Sequence, residues 1–256
     1  MAINYEKHGD HVAVITLNRP EALNAFDASL RREFLDAVCE ASGTAEIRAA
    51  IITGEGRGFC AGADIRDIDE GRNVEDILNA EYGAFLSVIR GGETPFIAAI
   101  NGPAAGIGMT TALSCDLRVI AENAYLMSAF AEIGLVPDGG LSWILTQQVG
   151  YSRAYQMAID AEKIGAAKCL DLGLVNRVAP GDELMSNALA WAEDIAQRAP
   201  KAMGLTKRAF RAASESGVTN AAAYEALLQR SAILTEDCRE GVMAKLQKRP
   251  ANFKGR

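Results

Sequence analysis

Histidine is nearly absent from this chain, with two in 256 residues, His8 and His11, both beside the first expected turn. A surface hairpin is their ordinary setting, which leaves no imidazole to activate a serine or cysteine nucleophile elsewhere. Triad hydrolases are thereby excluded. Cysteine is sparse too: Cys39, Cys60, Cys115, Cys169 and Cys238 are scattered, odd in number and never spaced as CxxC. Reduced thiols in a cytoplasmic compartment follow, and no metal site. No apolar run approaches the ~20 residues that cross a bilayer. The N-terminal MAINYEKHGDHVAVITLNRP goes straight into a strand pattern without signal- or transit-peptide character. Positive charge is in deficit, 26 Lys+Arg against 33 Asp+Glu, and the net −7 argues against a nucleic-acid partner. What remains is a protein of ordinary globular composition, 49% hydrophobic and 23% charged, long enough to bury a sizeable core.

Glycine is plentiful, and its placement carries information. Two glycine-rich loops, GEGRGFCAGADI (Gly54 to Ile65) and NGPAAGIGMTTALSCD (Asn101 to Asp116), each follow a short apolar strand-like run, Ala49 to Thr53 and Pro95 to Ile100. Glycine lets the backbone turn tightly and approach a ligand closely. Two such loops facing each other can form an oxyanion hole, where backbone N–H groups stabilise charge developing on a carbonyl oxygen. Other glycine-loop chemistries fit less well. No lysine follows Gly106 or Gly108 in P-loop register, and Gly106-Ile107-Gly108-Met109-Thr110-Thr111 lacks the last glycine of a dinucleotide fingerprint.

The first half alternates strands and helices, which predicts an α/β core. Val12 to Leu17 is a buried strand, and Asp27 caps a helix whose apolar face holds Leu30, Phe34, Leu35 and Val38, ending near Gly43. Residues 66 to 76 are polar and mobile or helical, Asp76 to Arg90 is a helix, and Leu117 to Ala121 is another buried strand. The second half is mainly helical: Gly140 to Val149, Ser152 to Ile159, Gly165 to Leu172 and Asp182 to Arg198. Pro200 opens a further helix, with Thr219 to Thr235 and Glu236 to Lys248 beyond it. The expected division is a core over 1–195 and a helical region over 196–256, jointed at Ala199–Pro200.

Six ordered segments give the chain a resemblance. LNRPEALNAF (Leu17 to Phe26), GRGFCAGADI (Gly56 to Ile65), AAINGPAAGIGMTTALSCDLRV (Ala98 to Val119), AEIGLVPDGG (Ala131 to Gly140), AAKCLDLGLVNRV (Ala166 to Val178) and REGVMAKLQKRPANFKG (Arg239 to Gly255) are similar to the crotonase superfamily, the enoyl-CoA hydratase/isomerase family. The resemblance implies a spiral of ββα turns with a helical C-terminal trimerisation region, and a trimer or dimer of trimers. It also implies an acyl-CoA thioester substrate, with no cofactor beyond the CoA moiety of that substrate and no metal.

Carried over by position, the oxyanion donors are the N–H groups of Ala63 and Ile107, the latter beside Gly106 at a helix N-terminus that favours an anion. The CoA contacts fall on Glu21 and Ala22, on Ala61, Ala63, Asp64 and Ile65 around the adenine, and on Lys248 near the phosphates. Glu21 stands where the family commonly has a basic residue.

The two glutamates by which family hydratases activate water correspond to Thr110 and Phe130, neither of which exchanges a proton at neutral pH. Asp138 matches the essential aspartate of several family isomerases, and SAFAEIGLVPDGG is similar to the ring-type enoyl-CoA isomerase branch of phenylacetyl-CoA metabolism. PDGG is also good turn sequence. The expected pocket holds Gly106, Ile107, Thr110, Phe130, Leu135 and Pro137 around Asp138, whose burial would raise its pKa. An isomerase is favoured. The alternatives are a hydratase or lyase using Glu132 or a rearranged site, and an acyl-CoA-binding homologue without catalysis. An aspartate-nucleophile dehalogenase or thioesterase is disfavoured because the paired histidine is missing.

Overall fold

A computed structural model describes residues 1–67, 71 and 73–256. Strands β1 (Ile3–His8) and β2 (Val12–Leu17) form an antiparallel hairpin in which His8 pairs with Val12, so both histidines do sit at a surface turn. Beyond β2 the sheet is parallel: β3 (Ala49–Gly54), β4 (Phe96–Ile100), β6 (Leu117–Ala121) and β9 (Arg177–Ala179) complete six strands in the order β1-β2-β3-β4-β6-β9. Parallel strands need crossovers, and helices cover them, so β3 and β4 are buried at every position and apolar except at Thr53.

A second, narrower layer is built from one short rung per turn of the spiral. β5 (Ala104–Ala105) pairs in parallel with β7 (Tyr125–Met127), which pairs with β8 (Ile164–Gly165). Isolated parallel bridges extend the row to Cys60 against Ala104 and to Phe26 against Ala63. Both glycine loops therefore cross from the wide sheet into this layer side by side.

Helix α1 (Ala28–Gly43) begins as expected, with the Asp27 carboxylate accepting from Leu30 N–H at 2.8 Å, and buries Leu30, Phe34, Ala37, Val38 and Ala41. The helix expected over Asp76 to Arg90 is not uniform. It starts as α2 (Val74–Asp76), widens into a π-turn over Ile77–Tyr82, and resumes as α3 (Gly83–Gly91). Tyr82 and Phe85 thereby point to one buried cluster, with the rings of Phe26 and Phe85 stacked at 5.3 Å and Tyr82 edge-on to Phe26 at 5.9 Å. Of the segment 66–76, residues 68–70 and 72 lie outside the described residues; Ile65–Asp67 is a 3₁₀ turn.

Helix α4 (Ile107–Ser114) is buried at all eight positions, a central helix rather than an amphipathic one. Then follow α5 (Leu141–Val149), α6 (Tyr151–Asp160), α7 (Ala166–Asp171) and α8 (Leu184–Ala196). Past the joint at Pro200 come α9 (Pro200–Ser214), α10 (Val218–Ile233) and α11 (Glu236–Leu246). The tail folds back: Asp237 accepts from the N–H groups of Lys254 and Gly255, and Arg48 bridges the carbonyls of Ala196 and Phe253.

Candidate active site

Cys60 and Ala104 are bridged in parallel, and the two segments stay side by side as far as Gly62 and Gly106, the residues before Ala63 and Ile107. The residue before each expected donor is a glycine with positive φ, Gly62 at +108° and Gly106 at +53°. These two glycines touch: a Cβ built on either would lie 3.9 Å from the Cα of the other. A side chain at Gly62 would also press the Ala105 carbonyl at 3.1 Å. Glycine is required here because the left-handed turn frees the next N–H and no side chain separates the loops.

Neither donor is used up by the fold. The bridge to Phe26 takes Asp64 N–H and Gly62 C=O, so Ala63 N–H points away from it. Ile107 is the first residue of α4, whose N–H has no carbonyl one turn back. Among the described residues neither N–H has an acceptor. Two asparagine amides absent from the expected site, Asn24 buried and Asn101 half-buried, hold the first loop. Asn24 donates to Glu55 C=O and Gly58 C=O, and Asn101 to Gly56 C=O and again to Gly58 C=O.

The residues expected around CoA before the C-terminal helices fall on two stretches, the turn after β2 and the first glycine loop, joined by the hydrogen bond from Ala61 N–H to Leu23 C=O. Glu21 and Ala22 lie in a short 3₁₀ turn, Glu21 exposed; Ala61 is half-buried; Ala63 and Ile65 are exposed. Asp64 differs. Its carboxylate is buried, held well below the usual carboxylate range first by the Arg66 guanidinium, with Arg19 adding a pair at 3.2 Å. Its N–H and C=O are also bonded internally, to Phe26 and Asp67. Asp64 therefore shapes the loop. Lys248 is exposed just past α11, at φ +54°.

Asp138 lies one helical turn from the second donor. Thr110, three residues along α4 from Ile107, approaches the Asp138 carbonyl with its hydroxyl at 3.4 Å. Gly139 (φ +57°) packs so tightly that an added Cβ would meet Ile107 Cδ1 at 2.7 Å and Thr110 Cγ2 at 2.9 Å. The carboxyl of Asp138 has a buried Oδ1 without a hydrogen-bond partner, and burial alone pushes its pKa up to about 6. It lines a cleft of about 560 Å³.

The walls of that cleft correct the expected pocket. Leu135 and Pro137 line it, but Leu135 is 56% exposed at the rim, and Phe130, Ile107, Gly106 and Thr110 do not line it. Phe130 is buried against Gly106 instead. Leu78, Leu86, Asn79 and Arg90, from the α2–α3 segment, supply the opposite wall. The sequence marked Asp76 to Arg90 as a helix, not which element it would meet. Glu132 is exposed on a 3₁₀ turn away from the cleft. No group of three or more His, Cys, Asp or Glu is placed to hold a metal among the described residues, and no described helix is long and apolar enough to cross a membrane.

A spiral α/β core, two glycine loops that meet at Gly62 and Gly106, and a half-buried acid on the loop packed against α4 are together the features of a crotonase-type protein. A crystal structure of an enoyl-CoA hydratase from Bacillus anthracis superposes with a TM-score of 0.94 at 30% identity, covering 100% of both chains. The family model Enoyl-CoA hydratase/isomerase matches residues 7–256, and the chain belongs to that family of acyl-CoA enzymes. A Rhodobacter capsulatus protein named "Probable enoyl-CoA hydratase" is 42% identical over 99% of this chain and 98% of its own. The 1,2-epoxyphenylacetyl-CoA isomerase of Escherichia coli is 33% identical over 96% of this chain and 95% of its own. Relatives thus carry both hydratase and isomerase names.

Proposed function

We propose that this enzyme shifts a double bond in an enoyl-CoA thioester, with Asp138 as the proton shuttle. The observation that carries the reading is the Asp138 carboxyl itself: half-buried, with a buried Oδ1 that has no partner, and raised to about 6. A base near neutrality with a free oxygen is suited to general acid–base work. Thr110 and Phe130 at the two glutamate positions argue against water activation.

The thioester oxygen of a 3-enoyl-CoA lies between the N–H groups of Ala63 and Ile107. The Asp138 carboxylate takes a proton from the carbon next to the thioester, and the electron pair moves into a dienolate whose negative oxygen the two N–H groups hold. The protonated Asp138 then returns the proton two carbons further along, giving the 2-enoyl thioester and regenerating the carboxylate. Removing one such donor typically raises a barrier by ~3–4 kcal/mol, so this electrostatic contribution is large. CoA is part of the substrate. Its adenine end is assigned to the rim of Glu21, Ala22, Ala61, Ala63, Asp64 and Ile65, with Asp64 acting through the loop it shapes, and its phosphates to Lys248.

Residues 1–195 are assigned to the catalytic core and 196–256 to assembly. Leu205 and Leu228 are buried, while Phe210, Leu227, Ile233 and Leu234 remain exposed on the C-terminal helices. That apolar surface is suited to burial in a homotrimer or a doubled trimer. Light scattering should find no monomer at micromolar concentration.

A turnover screen over 2-enoyl, 3-enoyl and aryl-acetyl-derived CoA thioesters tests the reading. Isomerisation of a 3-enoyl or ring-derived thioester is expected, with little or no hydration of crotonyl-CoA. Hydration at rates usual for the family's hydratases would overturn it.

A further inference from the structure

The cleft beside Asp138 opens into a second one of about 480 Å³, and Ser87, Arg90 and Gly140 line both. Arg90 is the group at the junction, and it is held firmly. Its Nε and Nη2 donate to Ser114 Oγ at 3.0 and 2.8 Å, and Nη2 also donates to Gly139 C=O. Nη1 has no acceptor among the described residues, and it is not sealed from the cleft. Glycine at 140 keeps it open: a Cβ there would lie 3.2 Å from Nη1.

No carboxylate pairs with this guanidinium among the described residues. Another cation, Arg211, lines the second cleft, acts on Arg90 and is itself paired with Asp116 at 3.4 Å. Burial and Arg211 both hold Arg90 below its ordinary pKa. Glu215 is the acid lining the second cleft, exposed and unpaired with Arg90. A partly buried cation without a counter-charge is costly unless a ligand supplies one. Asp138 does not supply it, since its shift comes from burial alone.

We infer that Arg90 anchors a carboxylate at the far end of the acyl chain, so that the preferred substrate is the CoA thioester of an unsaturated dicarboxylic acid. The anchored chain lies along the cleft with its reacting carbons at Asp138 and its terminal carboxylate on Nη1. Guanidinium–carboxylate pairing suits this end because the fork is rigid and always charged. The inference rests on the acyl group occupying the Asp138 cleft, as in the reading above, and extends it to a substrate class.

The test compares three CoA thioesters of equal chain length, ending in a methyl group, a carboxylate or its methyl ester. Binding of the saturated forms is measured by calorimetry and turnover of the 3-enoyl forms by kcat/KM. With the wild-type protein the diacid is expected to bind about 10–100-fold tighter than either neutral form, the usual effect of a hydrogen-bonded charge. Arg90→Met should erase that preference, so that the diacid binds no tighter than the methyl-ended thioester. Equal wild-type binding of the three thioesters would overturn the inference, whatever the variant does. So would an Arg90→Met protein that weakens all three equally, since support of the Gly139 loop would then be the whole role. A diacid binding preference without isomerisation of any of them would retain the anchor and sink the isomerase reading.

Discussion

The wall of donors and the loop of the acid are built in opposite ways. Around Ala63 and Ile107 the backbone is tied at nearly every residue: Asn24 and Asn101 hold the first loop, Cys60 and Ala104 bridge the two, and glycine contacts close the gap. The segment from Ala131 to Asp138 is largely exposed and is held mainly at its end, by Gly139 against α4 and by Arg90 on the Gly139 carbonyl. In the proposed mechanism the first region would polarise any thioester carbonyl. The second would decide what happens next, because it supplies Asp138, whose Oδ1 is buried and lacks a hydrogen-bond partner. A rigid, shared electrostatic device is joined to a loop that can change its chemistry without disturbing the core.

The sharpest way to break the comparison is to disable one side only. Asp138→Asn should bind acyl-CoA normally yet lose roughly 10²–10⁴-fold in isomerisation and in exchange of substrate hydrogens with solvent deuterium. Wild-type exchange rates in that variant would return Asp138 to a turn residue. Gly62→Ala attacks the other side, forcing a side chain onto φ +108° and against Ala105 C=O. A loss of about 10²-fold is expected in exchange and isomerisation alike, through displacement of one donor. A variant retaining full turnover would show that Ala63 N–H is not a donor.

The pH response separates the two regions more finely. The acting form of Asp138 is the carboxylate, so kcat/KM should fall about tenfold per unit below pH of about 6 and level off above it. A flat profile down to pH 5 would remove Asp138 as the base. Stability should run the other way. A carboxyl raised to about 6 in the folded state binds more protons than the unfolded chain, so its stabilising contribution is present below pH ~4 and lost as pH rises through 6. Asp138→Asn should therefore be more stable than wild type by roughly 1–3 kcal/mol at pH 7, the gain vanishing below pH ~4. Denaturant titration at pH 4 and 7 checks this; equal differences at both would mean the carboxyl is not strained. The smallest effect belongs to Glu132→Gln, whose exposed side chain lies outside the cleft. Turnover should change less than about twofold, well short of any general acid–base contribution, and a dead enzyme would transfer the base to Glu132.

Much of this was legible before any coordinates. The parallel core strands, the Asp27 cap and the two strand–glycine-loop–helix units are local patterns, and local chemistry sets them. Family resemblance placed Ala63, Ile107 and Asp138, and the missing glutamates at 110 and 130 singled out the acid. The oxyanion glycines were visible as glycines, but their contact was not, because Gly62 and Gly106 meet only after two turns of the spiral have wound. The π-turn at Ile77–Tyr82 escaped periodicity because its widened pitch is set by how Tyr82 and Phe85 pack on Phe26.

The sequence by itself determined the strand–glycine-loop–helix units and the Asp27 cap, since these follow from residue type and near neighbours along the chain. Only the tertiary structure decided that the acid's cleft is walled by Leu78 and Leu86 rather than Phe130, that Asp64 is spent on Arg66 and Arg19, and that Arg90 faces the cleft without a counter-charge. Burial and charge balance depend on which distant segments are brought together, and a cation's lack of a partner is a property of all its neighbours at once.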